Sequence, residues 1–145
     1  MKTKILILTV LALMVCGFTQ ASTGDSSNDS LNKSNNLIVL WTSGDKEVAQ
    51  KMVFMYVYNS KALFNLWKDI TLIIWGPSAK LLAEDKELQD YIKKIKATGV
   101  KLKACQSCAD EYGVSDKLEA MGIEVTYMAQ ELTDYIKAEY HLVTF

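Results

Sequence analysis

Apolar positions along this chain gather in short blocks separated by amphipathic stretches. Leu37 to Trp41 (LIVLW) is a β-branched, uncharged run bounded by polar residues and reads as a buried strand. Thr42-Ser43-Gly44-Asp45 is a turn, and Asp45 or Ser43 can cap the helix that follows. That helix is expected from Lys46 to Trp67. Ile70 to Trp75 (ITLIIW) is a second buried strand, stopped by Gly76-Pro77-Ser78, with Pro77 suited to the first turn of a helix continuing through Lys80 to Ala83. Glu87 to Ala97 carries Leu88, Tyr91, Ile92 and Ile95 at helical spacing, and Gly99 closes it as a C-cap. Val100 to Ala104 is the third strand, and Cys108 to Tyr112 a helical turn broken by Gly113. Asp116 to Met121 is a short helix ended by Gly122, and Ile123 to Tyr127 the fourth strand. Ala129 to Ala138 is the last helix, and His141 to Phe145 a short fifth strand.

Strands alternating with helices of this length imply parallel βαβ units. The expected architecture is a three-layer α/β/α sandwich around a mainly parallel five-stranded sheet. Sites in such sheets lie beyond the carboxyl ends of the strands. Thr42 to Asp45, Gly76 to Ser78 and Cys105 to Cys108 therefore converge on one edge. Ser43, Gly44, Gly76, Pro77 and Ser78 are the expected supporting loop residues. The long first helix departs from the usual single apolar stripe, because Met52-Val53-Phe54-Met55-Tyr56-Val57-Tyr58 is apolar all round. Its second face is expected to meet another subunit; the other reading is a deep central helix.

The two ends of the pattern differ. Lys2 and Lys4 precede Ile5 to Val15, an uncharged run of 11 residues, too short to span a bilayer and suited to a secretion leader. Thr19 and Ala21 supply small residues before a cut, so residues 1–21 read as a signal peptide. Lipid attachment at Cys16 competes with that cut, although Val15 fits poorly in front of it. Residues 22–36 (STGDSSNDSLNKSNN) are too polar to offset their ordering entropy and read as a flexible linker. Residues 37–145 form the expected domain. The protein is accordingly expected to be exported, periplasmic or extracellular, or else a lipoprotein held at a membrane through Cys16.

Charge narrows the function. The 145-residue chain has 16 basic residues, all lysine, against 17 acids, for a net charge of −1. Without arginine, bidentate phosphate and base-edge contacts lose their usual donor, so no nucleic-acid partner is expected. No nucleophile elbow and no phosphate-binding glycine loop is present, and no cofactor is called for.

Removal of the leader takes Cys16 with it and leaves Cys105-Gln106-Ser107-Cys108 at the exit of the third strand. Alternation places Leu102 and Ala104 on one face and Lys101 and Lys103 on the other. Cys108 opens a helix whose backbone dipole favours a thiolate, while Asp110 and Glu111 oppose it. A zinc half-site lacks partners beyond His141 and scattered carboxylates, so no metal is expected. His141, beside Leu142 and Val143, reads as a strand residue. A thioredoxin-type site is disfavoured, because the only proline lies upstream. A structural disulfide, a reactive thiol pair and plain packing all remain.

The order of elements resembles the DsrE/DsrF-like family. So do Trp75-Gly76-Pro77-Ser78-Ala79-Lys80-Leu81-Leu82, Gly99-Val100-Lys101-Leu102-Lys103-Ala104-Cys105-Gln106-Ser107-Cys108 and Tyr112-Gly113-Val114. The resemblance covers residues 37–145. It implies a flavodoxin-like fold, homotrimers or homohexamers, and in some members a sulfur relay that carries persulfide on the cysteine matched by Cys105. Cys108 is an addition present in some relatives. The expectation is an exported sulfur-handling protein, with Cys105 attacking or carrying sulfur from the open rim and Cys108 resolving. A sulfur donor or acceptor protein is its implied partner. The alternative is a non-catalytic oligomeric module that binds a small ligand and holds the two cysteines as a structural disulfide.

Overall fold

A computed structural model describes residues 35–145. The expected signal peptide, Cys16 with its lipid-anchor alternative, and residues 22–34 of the expected linker lie outside the described residues. Asn36, expected to close the linker, is the first residue of a strand.

Five strands form one sheet: β1 (Asn36–Trp41), β2 (Asp69–Ile74), β3 (Lys101–Cys105), β4 (Glu124–Thr126) and β5 (His141–Thr144). Their spatial order is β4-β3-β2-β1-β5, and all four pairings are parallel. The sheet is thus fully rather than mainly parallel, as connections through helices require. Each expected strand is present, with ends shifted by at most one residue.

The strand pattern resolves the sheet into two faces. Leu37, Val39, Trp41, Ile70, Leu72, Ile74, Leu102 and Ala104 point into a large core. Ile38, Ile73 and Cys105 point the other way into a much smaller one. The large core is closed by α1 (46–63), α2 (Pro77–Glu84), α3 (Lys86–Ala97), α4 (Gln106–Glu111) and α5 (Ser115–Ala120). Among the described residues the small one is closed mainly by α6 (Met128–Lys137), through Met128 with Leu132 and Tyr135. Trp41, Phe54 and Tyr91 stack edge to face at 5.1 and 5.2 Å and tie β1, α1 and α3 together. Such pairs add about 0.5–1.5 kcal/mol each beyond simple burial.

The first helix is shorter than the pattern implied. It runs over 46–63, with two π-type stretches, Val48–Phe54 and Asn59–Leu63, around α-helical Met55–Tyr58. Asp45 is its cap: Val48 N–H donates to Oδ1 at 2.9 Å, while Ser43 Oγ accepts from the Asp45 N–H at 3.1 Å. The helix stops because Asn65 turns left-handed (φ 46°), and the Lys61 ammonium donates to the Lys68 carbonyl at 2.7 Å. Val53, Phe54 and Val57 are buried, yet Met52 is 50% and Met55 44% exposed, with Leu63, Phe64 and Leu66 exposed beyond them. Met52, Met55, Tyr56, Phe64 and Leu66 line a groove of about 360 Å³. Among the described residues, nothing covers this second apolar face of α1. Among the described residues no helix is long and apolar enough to cross a membrane.

Candidate functional site

Three strand ends meet where the sequence pattern placed them. Trp75 N–H donates to the Trp41 carbonyl at 2.9 Å, continuing the β1–β2 ladder past its last pair. Ser78 fastens this junction from below. It is wholly buried, its Oγ donates to the Trp41 carbonyl at 2.7 Å, and it accepts from the Trp75 N–H at 3.0 Å. Ser78 is thus a structural tie, not a group presented to a ligand. Pro77 opens α2 at its first turn. Gly76 takes φ 69°, ψ −136°, a conformation that suits glycine alone. Gly44 approaches the same turn from β1, and a Cβ there would meet the Pro77 Cβ at 3.1 Å. Gly44, Pro77, Lys80, Leu81, Glu84 and Tyr112 surround a groove of about 260 Å³ that neither cysteine lines.

Cys105 is the last residue of β3 and Cys108 the third of α4; both thiols are free. The open rim expected for the Cys105 sulfur is not found. Residue 105 continues the alternation of Lys101 and Lys103, so its side chain enters the small core. It is only 5% exposed there, among Ile38, Ile73 and Met128. Cys108 packs against the edge of the same cluster but is partly exposed. Cys108 is therefore the more exposed residue of the pair. The reason is strand geometry: a thiol still within the strand obeys its two-residue period, whereas one in the next helical turn is carried out to the sheet edge.

The Cys108 thiol is held above its ordinary pKa. Burial is the largest cause, followed by its hydrogen bond with the Cys105 thiol; the Gly76 N–H opposes both, and the charge of Glu111 raises it further. The favourable pull expected from the helix terminus is overcome because α4 has only six residues and Cys108 sits against apolar side chains. Gly76 is the one expected loop residue brought into contact with the pair. Ser43 serves the α1 cap, and Gly44 and Pro77 shape the neighbouring groove.

Sequence reasoning missed a polar cluster two residues from Cys105 on the same face of β3. Lys103 Nζ lies 2.8 Å from Glu124 and 2.6 Å from Glu131, with the lysine side chain 12% exposed. Tyr135 O–H donates to Glu131 at 2.7 Å, and its ring stacks on Tyr140 at 5.1 Å. Burial, and then Glu131, push the Tyr135 hydroxyl up to about 12. The two carboxylates raise Lys103 against the opposing effect of its burial. Strand alternation already put Lys103 beside Cys105; that Glu131 and Tyr135 would face it required the path of α6. His141 opens β5, its ring 5.0 Å from that of Trp67, away from the cysteines in the sheet order. Among the described residues no three His, Cys, Asp or Glu side chains gather as metal ligands.

Residues 35–145 match the DsrE/DsrF-like family. The chain belongs to that family. A conserved protein of unknown function from Bacteroides thetaiotaomicron, BT1422, superposes with a TM-score of 0.74 at 36% identity, over 77% of this chain and 95% of that one. The ychN protein from E. coli shares the fold, with a TM-score of 0.56 at 20% identity over 77% of this chain and 99% of that one. No curated protein matches. Membership in the DsrE/DsrF-like family supports a sulfur-relay-related role at the level of the family.

Proposed function

We propose that this DsrE-like protein handles sulfane sulfur at the Cys105/Cys108 pair after export from the cytosol. The observation that carries the reading is one partly exposed cysteine beside one buried cysteine at the carboxyl edge of a parallel sheet. Exposure sets the order of events. The Cys108 thiolate attacks the outer sulfur of a donor persulfide; the donor leaves as a thiolate and Cys108 becomes a persulfide. The Cys105 thiolate then attacks the inner, Cys108 sulfur. A Cys105–Cys108 disulfide forms and hydrosulfide departs, so the two cysteine sulfurs are oxidised while the sulfane sulfur is reduced. Alternatively, a thiolate of an acceptor protein takes the outer sulfur and regenerates the free pair. The backbone of Gly76 lowers the Cys108 pKa and so favours the anionic forms in either route.

This order reverses the roles that the motif alone implied for the two cysteines. Intact-mass measurement after incubation with a small persulfide donor tests it. The wild type gains one sulfur atom and releases it as sulfide on standing. Cys105→Ser gains the atom and keeps it longer, and Cys108→Ser gains little. Equal gain on Cys108→Ser would return the carrier role to Cys105, and no gain on any form would remove the proposal. A structural disulfide, as a non-catalytic binding module would hold, resists mild reductant and stabilises by about 2–4 kcal/mol. A reactive pair reduces readily with little change in melting temperature.

Assembly belongs to the same reading. The open apolar face of α1 is proposed as the contact between copies in a homotrimer or homohexamer. Export as a soluble chain, or lipid anchoring through Cys16, is proposed from the leader-like first residues.

A further inference from the structure

The sheet is unequally covered. Among the described residues five helices pack on one face, and α6 is the main helix on the other, with Trp75, Cys108 and Tyr140 at its edge. Met128, in the first turn of α6, is 1% exposed and packs in the cluster that buries Cys105. It is the only residue of α6 that is fully buried; Leu132 and Tyr135 are partly so, and Ile136 is exposed. Apolar adhesion of this helix is therefore small, since a single side chain removed from water is worth about 1.5–3 kcal/mol.

What holds α6 down is polar. Lys103 projects from the same strand face as Cys105 and reaches Glu131, one turn beyond Met128, at 2.6 Å; Tyr135, a further turn on, donates to the same carboxylate at 2.7 Å. Lys103 keeps a second partner in Glu124 on the neighbouring strand, so its charge stays paired when Glu131 leaves. The helix is bounded by an exposed Tyr127 at one end and by Glu139, at φ 56°, at the other. An element with few buried apolar contacts and a solvent-adjacent polar fastening opens at lower cost than the sheet beneath it. We propose that α6 is a lid over Cys105, and that the Lys103–Glu131–Tyr135 latch sets how often the buried thiol becomes accessible. The purpose of the lid rests on the sulfur-exchange reading; its existence does not.

The experiment needs no sulfur chemistry. In a Cys108→Ser background, iodoacetamide labelling of Cys105 is followed alongside amide hydrogen exchange, with and without Glu131→Gln or Tyr135→Phe. Glu131→Gln should speed Cys105 labelling about tenfold, equivalent to ~1.4 kcal/mol. Tyr135→Phe should speed it about threefold, the lesser effect expected for losing one hydrogen bond to a retained carboxylate. Amides of α6 should exchange faster by similar factors, while those of β1 and β2 keep their rates. The lid is overturned if neither variant changes Cys105 labelling. It is also overturned if β1 and β2 loosen as much as α6, because the variants then act by global unfolding. Labelling of unmodified Cys105 at the rate of an exposed thiol would show that nothing covers it. Failure of persulfide loading with these results intact would remove the sulfur reading and leave the lid.

Discussion

Cys108 shows how a single residue's surroundings decide its chemistry. Burial and the neighbouring Cys105 thiol raise its pKa above the ordinary thiol value, so a smaller share of it is thiolate at neutral pH than in the unfolded chain. The folded state binds that proton more tightly than the unfolded chain does. Its contribution to stability is present below the unfolded thiol's pKa, about 8.5, and is lost as pH rises through the higher folded value. Alkylation of Cys108 in the native protein should keep accelerating past pH 8.5–9, where an unfolded thiol levels off; a plateau at or below the unfolded value would contradict the burial effect. Gly76 makes the second residue-scale case. Space beside its Cα is open, so Gly76→Ala is opposed by conformation alone. A cost of about 1–3 kcal/mol in denaturant unfolding is expected, together with altered Cys108 reactivity as the N–H is reoriented.

At the scale of elements, the cysteine edge depends on how β1 and β2 end. Ser78 binds backbone groups of both strands from the start of α2, wholly out of contact with water. Ser78→Ala leaves the Trp41 carbonyl with one partner fewer and removes the acceptor of the Trp75 N–H, although the latter still donates to Trp41. A loss of about 1–3 kcal/mol is expected from urea unfolding, with the thiol pair still in place. The alternation that decided the fate of Cys105 works at this scale too. Leu102 and Ala104 serve the large core, so Lys103 and Cys105 are committed to the other face. That much was readable from the period of the strand. Which helix would close that face, and that Met128 and Glu131 would meet those two residues, was not. Helix α6 is local in sequence to β4, but it crosses to the far edge of the sheet before β5 begins.

For the whole molecule, the unanswered surface is the face of α1 and the turn that follows it. Met52, Met55 and Phe64 are too exposed to serve the core of one subunit, and apolar patches of this kind mark contacts between molecules. Light scattering should give a trimer or hexamer. Met55→Glu together with Phe64→Asp should shift it toward monomer with the circular dichroism spectrum retained, because neither side chain supports the core. An unchanged oligomer in that double variant would move the contact elsewhere.

The period of apolar positions and the glycine and proline punctuation determined the element order, the parallel sheet and the edge to which both cysteines are brought. These follow from local sterics and from the two-residue and 3.6-residue repeats, which act over a few neighbours. Tertiary structure alone decided which cysteine meets solvent, that the Cys108 thiol is held up rather than down, and that a lysine, a glutamate and a tyrosine fasten a helix over Cys105. Those outcomes depend on side chains from distant segments sharing one small volume, where desolvation and pairing outweigh anything set by sequence neighbours.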